Sequence, residues 1–210
     1  MAEFRLHGFG ESGNAYKVAL MLQLSNADWE VVPVDYFNGV TRSAEWRASL
    51  NAQGEVPVLE HRGETLAQSG VILDYLAEVL GRFGGEDARE RREIWRWILF
   101  DNHKFTSYFA TLRFLFGLQK SGETPVTEFL RARARAARSV LEQHLATHAF
   151  VVGGRPTIAD LSLAGYAFYP EPTGIDDAEF PHIEAWKGRI RALPGWKGPY
   201  ELMPASFPKG

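Results

Sequence analysis

The sequence contains no cysteine at all among its 210 residues, and this absence excludes several kinds of site. It rules out disulfide bonds, metal centres built on thiolates, a CxxC redox pair and a cysteine nucleophile. Any sulfur chemistry that this protein carries out must therefore use sulfur that a ligand brings.

Long apolar runs and a strong charge of either sign are also missing. No segment reaches the ~20 apolar residues of a membrane-spanning helix, and the start MAEFRLHGFG lacks the basic and apolar regions of a signal peptide. The net charge of −3 gives no reason to expect a polyanionic partner. We therefore expect a cytoplasmic protein that binds neither membranes nor nucleic acids.

What is present is an ordinary globular composition, with 45% hydrophobic and 23% charged residues. Apolar spacing predicts a small α/β unit that ends near residue 80, in the order βαβ, α, ββα. The glycines of residues 81–87 indicate a linker, and everything after it has helical spacing. The sequence predicts two domains, residues 1–80 and 88–210, with helices in the second at 88–118, 125–147, 157–168 and 181–193.

Three short motifs place polar groups at the ends of predicted elements in the first domain. Val56-Pro57 begins a strand, Gln68-Ser69 begins a helix, and Ser12-Gly13-Asn14 follows the first strand. Each has an ordinary structural explanation. A proline at a strand start fits an edge or a tight turn, and a serine at a helix start is a cap worth about 1 kcal/mol.

Taken in order and spacing, these motifs make the chain resemble the cytosolic glutathione transferases, in particular serine-using, theta-like bacterial members. The second domain adds Thr157–Asp160, Trp186 and Leu193-Pro194-Gly195, so the resemblance covers nearly the whole chain. It implies a thioredoxin-like α/β first domain, an all-α second domain and usually a homodimer. It also implies glutathione as the co-substrate and no metal.

The resemblance assigns the glutathione-binding residues. It implies that Pro57 follows a cis bond and that the N–H and C=O of Val56 pair with the cysteinyl backbone of glutathione as an added strand. It implies that Gln68 and Ser69 hold the γ-glutamyl end, with the helix dipole behind the serine. Many relatives carry Lys or Arg just before the Val-Pro pair, to meet the glycyl carboxylate, whereas this chain has Glu55.

A carboxylate facing that glycyl carboxylate would be unfavourable. Either Glu55 points away, or a nearby residue compensates for it. The candidates are Arg42, Arg47 and Gln53, and we prefer Arg42 because a Thr-Arg-Ser segment recurs at this place in similar bacterial sequences. Arg42 and Gln53 therefore complete the predicted glutathione site.

Ser12 is the predicted catalytic residue, because His7 stands where the tyrosine-using classes carry tyrosine. A serine is too weak a base to take the thiol proton, but its hydroxyl can donate to the thiolate. Such a charge-assisted hydrogen bond, worth roughly 1.5–3 kcal/mol, and ~0.5 kcal/mol from the helix end would bring a thiol pKa from ~8.5 to around 6–7.5. Asn14 is the second candidate, through its amide donor.

The predicted helix at 88–118 supplies the candidates for the second substrate. The resemblance implies that Asp101 and Asn102 line the active-site cleft or reach the glutathione of a dimer partner. Tyr108, Phe109 and Leu112 are candidates for the floor of an apolar electrophile pocket. The alternative for each is buried core, since a helix that is apolar nearly all round is buried.

Three other patterns have structural explanations. Thr157–Asp160 is a capping-box variant that builds the core of the second domain. The arginines at 131, 133, 135 and 138 indicate a solvated helix face rather than a nucleic-acid site. His144 and His148 have a chelating spacing but no third ligand, so no metal is predicted.

The sequence therefore predicts a glutathione transferase that activates the thiolate for attack on an apolar electrophile. The same thiolate serves a glutathione-dependent isomerase, dehalogenase or peroxidase, and the fold does not decide among them. A non-catalytic member that binds ligands or proteins is the alternative from another class, because Glu55 and the capping explanation of Ser12 leave room for it.

Overall fold

The computed structural model describes residues 2–207, so residues 1 and 208–210 of the predicted domains lie outside the described residues. The described chain forms two compact units, residues 2–82 with 194–207 and residues 83–193. The break between residues 82 and 83 falls inside the predicted linker.

The first unit is built on a four-stranded mixed sheet in the order β2-β1-β3-β4. Strand β1 pairs with β2 in parallel, and β1 with β3 and β3 with β4 in antiparallel fashion. Strands β3 and β4 form a hairpin, and Arg62 and Gly63 make its two-residue turn with φ values of 49° and 85°. The strands are β1 Phe4–Gly8, β2 Trp29–Pro33, β3 Val58–His61 and β4 Glu64–Ala67.

Three helices pack with this sheet: α1 Gly13–Leu24, α2 Ala44–Ser49 and α3 Ser69–Leu80. Ser43 caps α2 by accepting the N–H of Trp46. Helix α1 is buried along nearly its whole length, which matches the apolar run from Val18 to Leu24. The order of elements confirms the predicted α/β domain.

The second unit contains five α-helices in its described residues: α4 Ala88–Phe100, α5 Thr106–Leu112, α6 Pro125–Leu145, α7 Ile158–Leu163 and α8 Pro181–Arg191. Helices α4 and α5 belong to one helical run over residues 88–118, as predicted. Two π-helical segments, Asp101–Phe105 and Arg113–Leu118, widen this run. Helix α7 is shorter than predicted and ends in a 3₁₀ turn, Ala164–Tyr166.

The capping box of α7 confirms the structural role predicted for Thr157 and Asp160. Asp160 is fully buried, and its carboxylate accepts the backbone N–H groups of Val151 at 2.8 Å and Thr157 at 2.9 Å. The indole N–H of Trp186 also donates to it at 2.9 Å. Burial raises the pKa of Asp160 to about 6, although these donors favour its charged form.

The solvated arginine face predicted for α6 is wrong at one position. Arg138 is only 6% exposed, and its guanidinium pairs with Asp177 at 2.6 Å. The apolar spacing of the helix does not show this, because the partner lies in the irregular segment before α8.

No helix among residues 2–207 is both long enough and apolar enough to cross a membrane.

The prediction that the C-terminal segment belongs to the helical domain is wrong. Residues 194–207, which include the short helix α9 Pro199–Leu202, form part of the first unit. The carboxylate of Glu11 accepts the backbone N–H groups of Ser206 at 2.8 Å and Phe207 at 2.7 Å. The N–H of Gly10 donates to the carbonyl of Pro204 at 3.0 Å. These contacts fasten the segment to the loop between β1 and α1.

Candidate functional site

The strand pairing brings the predicted motifs of the first unit to one end of its sheet. His7 pairs with Val58, and Val58 pairs with Ala67. The loop after β1, the residues before β3 and the residues after β4 therefore meet at this end. These segments contain the Ser12, Val56 and Gln68-Ser69 motifs.

Ser12 lies in the loop after β1 and caps α1. Its Oγ accepts the backbone N–H of Ala15 at 3.2 Å, and the side chain is only 6% exposed. No acceptor for the hydroxyl proton is found among residues 2–207. The structure thus leaves Ser12 able to donate one hydrogen bond to a ligand while it continues to cap the helix.

Asn14 and Ser69 connect the starts of α1 and α3. The Ser69 hydroxyl donates to the Asn14 side-chain oxygen at 3.4 Å, so two helix N-termini lie at this end of the sheet. In the described chain, the side-chain N–H₂ of Asn14 has no partner. Helix N-termini carry partial positive charge and unpaired N–H groups, so the site favours anions.

Val56 presents unpaired backbone groups at the same end. The Val56-Pro57 bond is cis, as predicted. The ladder of β3 begins only at Val58, and neither the N–H nor the C=O of Val56 has a hydrogen-bond partner within residues 2–207. An extended peptide needs such a donor and acceptor in order to add as a strand.

Gln68 is held between two other side chains of the site. Its Nε2 donates to Oε1 of Gln53 at 2.8 Å and to Oε2 of Glu55 at 2.9 Å. Its backbone has a φ of 70°, a conformation that non-glycine residues adopt rarely. Glu55 therefore points towards Gln68, a direction that its place in the sequence did not reveal.

Of the two arginines considered as compensation for Glu55, Arg42 has the free side chain. It is exposed at the end of a 3₁₀ turn, Val40–Arg42, and no partner for its guanidinium is found in the described part of the chain. Arg47 instead donates to the carbonyl of Ala52 at 3.2 Å. Neither arginine forms an ion pair with Glu55.

His7, which stands in place of the tyrosine of other classes, has an internal partner. Its ring lies 2.8 Å from a carboxylate oxygen of Glu60 and is almost buried. This contact accounts for His7 without a ligand. Among the described residues, no group of three or more His, Asp or Glu side chains has the arrangement of a metal site.

The candidates for the second substrate lie in the second unit, and two of them are internal. Asp101 is fully buried and accepts the hydroxyl groups of Thr106 and Ser162. Leu112 is also fully buried, in an apolar cluster with Leu130. We therefore assign Asp101 and Leu112 to the packing of this unit.

The other three candidates are partly exposed. Tyr108 packs against the cluster around Leu112, and Asn102 accepts the Ser107 hydroxyl through its backbone carbonyl. Phe109 lines a cavity of about 190 Å³ that also has Phe105, Tyr166 and Tyr169 in its wall. Of the five predicted residues, Phe109 is the one that borders this cavity.

Comparison with known proteins identifies the family. The family model for the glutathione S-transferase N-terminal domain matches residues 2–78, and that for the C-terminal domain matches residues 105–194. A maleylacetoacetate isomerase from Rhizobium meliloti is 31% identical, over 90% of this chain and 91% of the relative. Glutathione S-transferase 3 from Zea mays is 28% identical, over 99% of this chain and 98% of the relative.

A solved structure agrees with these matches. A glutathione S-transferase from Xanthobacter autotrophicus superposes with a TM-score of 0.84 and 35% identity, over 92% of this chain and 95% of the other. The sequence matches, the mixed sheet with its cis Val56-Pro57 bond and the all-helical second unit lead to one conclusion. The chain belongs to the glutathione S-transferase family.

Proposed function

We propose that this protein is a glutathione transferase that binds glutathione on its first unit, ionises the thiol and directs the thiolate at an apolar electrophile. The observation that carries the proposal is the pair of unpaired backbone groups on Val56, at the sheet end that also holds the free Ser12 hydroxyl donor. A tripeptide thiol that adds as a strand at Val56 finds a hydroxyl donor and two helix N-termini there.

The chemistry needs only that the thiol ionise and that the electrophile be held nearby. The thiol proton goes to solvent, and the Ser12 hydroxyl then donates to the sulfur anion. The thiolate sulfur forms a bond to the electrophilic carbon and either expels a leaving group as an anion or adds to a polarised double bond, whose carbanion then takes a proton from solvent. Binding of both substrates supplies proximity. Asn14 offers a second donor through its free amide.

The remaining glutathione contacts follow from charge. Ser69 and the N-terminus of α3 would hold the γ-glutamyl carboxylate. Arg42 carries the free cation that we propose for the glycyl carboxylate, and Gln53 lies beside Gln68. Asn102, Tyr108 and Phe109 are the proposed electrophile contacts that the second unit leaves partly exposed.

Binding of glutathione by the Ser69→Ala variant tests the site. We expect wild-type protein to bind glutathione in calorimetry and Ser69→Ala to bind it about 10-fold more weakly or worse, because a hydroxyl donor to a carboxylate is lost. Ser43→Ala is the matched control, since Ser43 caps α2 in the same unit. If Ser69→Ala binds glutathione with unchanged affinity, or if Ser69→Ala and Ser43→Ala lose affinity equally, Ser69 does not hold the γ-glutamyl carboxylate.

We also propose a homodimer, which is the family's usual state. The exposed face of α4 carries Trp95 and Leu99, and Leu99 is 61% exposed. An aspartate there would be buried without a partner in a dimer interface. We expect Leu99→Asp to raise the dimer dissociation constant about 100-fold in sedimentation velocity, and Val126→Asp, on α6, to leave it unchanged. A monomeric wild-type protein would contradict the proposal.

Glutathione-dependent isomerisation is a second candidate function, because one relative that matches most of this chain is named maleylacetoacetate isomerase. The same thiolate serves both reactions, so a panel of halogenated aromatics, unsaturated carbonyl compounds and peroxides separates them by product.

A cytoplasmic location belongs to the same proposal, since the cytosol maintains a pool of reduced glutathione.

A further inference from the structure

Glu55 is a carboxylate with no cationic partner among residues 2–207. It is exposed, and no Lys, Arg or His lies within ion-pair distance of it in the part of the chain that the structure describes. Within the described residues, its side chain accepts a hydrogen bond from the neutral amide of Gln68. A free negative charge therefore stands one residue before Val56.

The contact with Gln68 fixes where this charge points. Gln68 is the N-cap residue of α3 and immediately precedes Ser69, so the carboxylate contacts the residue that leads into this helix. Both N–H bonds of the Gln68 amide are used, on Gln53 and Glu55. The amide oxygen of Gln68 and Oε1 of Glu55 have no partners among residues 2–207. Two acceptor oxygens thus stand beside a site that favours anions.

Negative acceptors beside a helix N-terminus are complementary to an α-amino acid zwitterion. The helix terminus and Ser69 suit its carboxylate, and an ammonium group has three donors for the neighbouring oxygens. We propose that Glu55, with Gln68, binds the α-ammonium of the γ-glutamyl group and selects thiol peptides that carry this cation. The assignment rests on the proposed glutathione site and gives Glu55 a specificity-determining role in it.

This role accounts for a carboxylate beside a site that favours anions. Because Glu55 points towards Gln68, its charge is directed to the ammonium end of the ligand. The free cation of Arg42 remains for the glycyl carboxylate. The two ends of glutathione would then be distinguished by opposite charges of the protein.

The test compares two ligands on two proteins. Glutathione and its desamino analogue, in which a glutaryl group replaces γ-glutamyl, differ only in the α-ammonium. We expect wild-type protein to bind glutathione about 10- to 100-fold more tightly than the analogue. Glu55→Gln keeps an acceptor for Gln68 and removes the charge, so it should weaken glutathione binding and leave the analogue's affinity unchanged. Raised salt should reduce the wild-type preference.

Other results of these binding measurements would contradict the role assigned to Glu55. Equal losses for both ligands in Glu55→Gln would make Glu55 a structural residue, and an unchanged preference would remove it from ammonium recognition. The control is Glu64→Gln, an exposed carboxylate at the far end of β4, which should change neither affinity. Absence of glutathione binding by the wild-type protein would overturn the proposed function itself, and this assignment with it.

Discussion

Replacement of Ser12 by alanine is expected to lower the rate of glutathione conjugation by about 10- to 100-fold near pH ~6.5. The hydroxyl of Ser12 accepts the N–H of Ala15 and has its own proton free to donate. A hydrogen bond from this hydroxyl to a thiolate, worth roughly 1.5–3 kcal/mol, corresponds to about one to two units of thiol pKa. Without it, a smaller fraction of bound glutathione is ionised.

The pH dependence separates this role from a general loss of structure. The hydrogen bond stabilises the charged form, so its removal raises the pKa of the bound thiol and shifts the rising limb of the rate profile to higher pH. At a pH where both proteins hold ionised thiol, the difference narrows, because a thiolate of higher pKa is also the better nucleophile. The thiolate's ultraviolet absorbance, titrated on the bound complex, measures the same shift directly.

Two variants control for the capping role of Ser12. Ser12→Thr keeps a hydroxyl and should retain most of the activity. Ser43→Ala removes the cap of α2, at a cost of about 1 kcal/mol in folding stability, and should leave the thiol pKa unchanged. If the Ser12→Ala protein keeps the wild-type pH profile, Ser12 is only a cap, and the free amide of Asn14 becomes the candidate donor.

The sequence predicts the local elements of this protein well, because their signals are local. The β3–β4 hairpin follows from the β-branched and apolar residues on either side of Arg62-Gly63, and the start of α1 follows from the Ser12 cap. The cap predicted at Ser69 is wrong: Gln68 is the N-cap residue of α3, and the Ser69 hydroxyl donates to Asn14 instead of capping the helix. The convergence of Ser12, Val56 and Gln68 also follows once the fold is known, since strand pairing places these three segments at one end of the sheet.

Contacts between distant residues are what the sequence could not reveal. The five-residue π-helical segment at Asp101 and the burial of Arg138 depend on tertiary packing, which propensity does not encode. The attachment of the C-terminal segment depends on Glu11, whose partners lie about 195 residues away. The direction of Glu55 likewise depends on Gln68, which reaches it only through the folded hairpin.

Replacement of Asp160 by alanine is expected to lower the free energy of unfolding by about 4 kcal/mol. The change leaves the N–H groups of Val151 and Thr157 and the indole of Trp186 without an acceptor in a fully buried place. Each buried donor left unpaired costs about 1–3 kcal/mol. Because folded domains are stable by only about 5–15 kcal/mol, this single change removes a large part of the total.

The raised pKa of Asp160 leads to a second and smaller expected effect, a pH dependence of the free energy of unfolding. Its pKa is raised from 3.8 to about 6 in the folded protein, so the native state binds a proton more readily than the unfolded chain. This group's contribution to stability is therefore greatest at low pH and declines as pH rises towards and through about 6. Between pH 7 and pH 5 it should add about 1 kcal/mol to the free energy of unfolding.

Chemical denaturation of the wild-type protein and three variants measures both effects. Asp160→Asn keeps one acceptor oxygen but cannot ionise, so it should be less destabilised than Asp160→Ala and should lack the gain between pH 7 and pH 5. Asp176→Ala is the control, because Asp176 is exposed and caps a short turn through the N–H of Ala178, and its loss should cost about 1 kcal/mol or less. If the wild-type protein and Asp160→Asn show the same pH dependence, burial does not raise this pKa. If Asp160→Ala loses no more than the control, the buried carboxylate is not what joins α7, α8 and the segment around Val151.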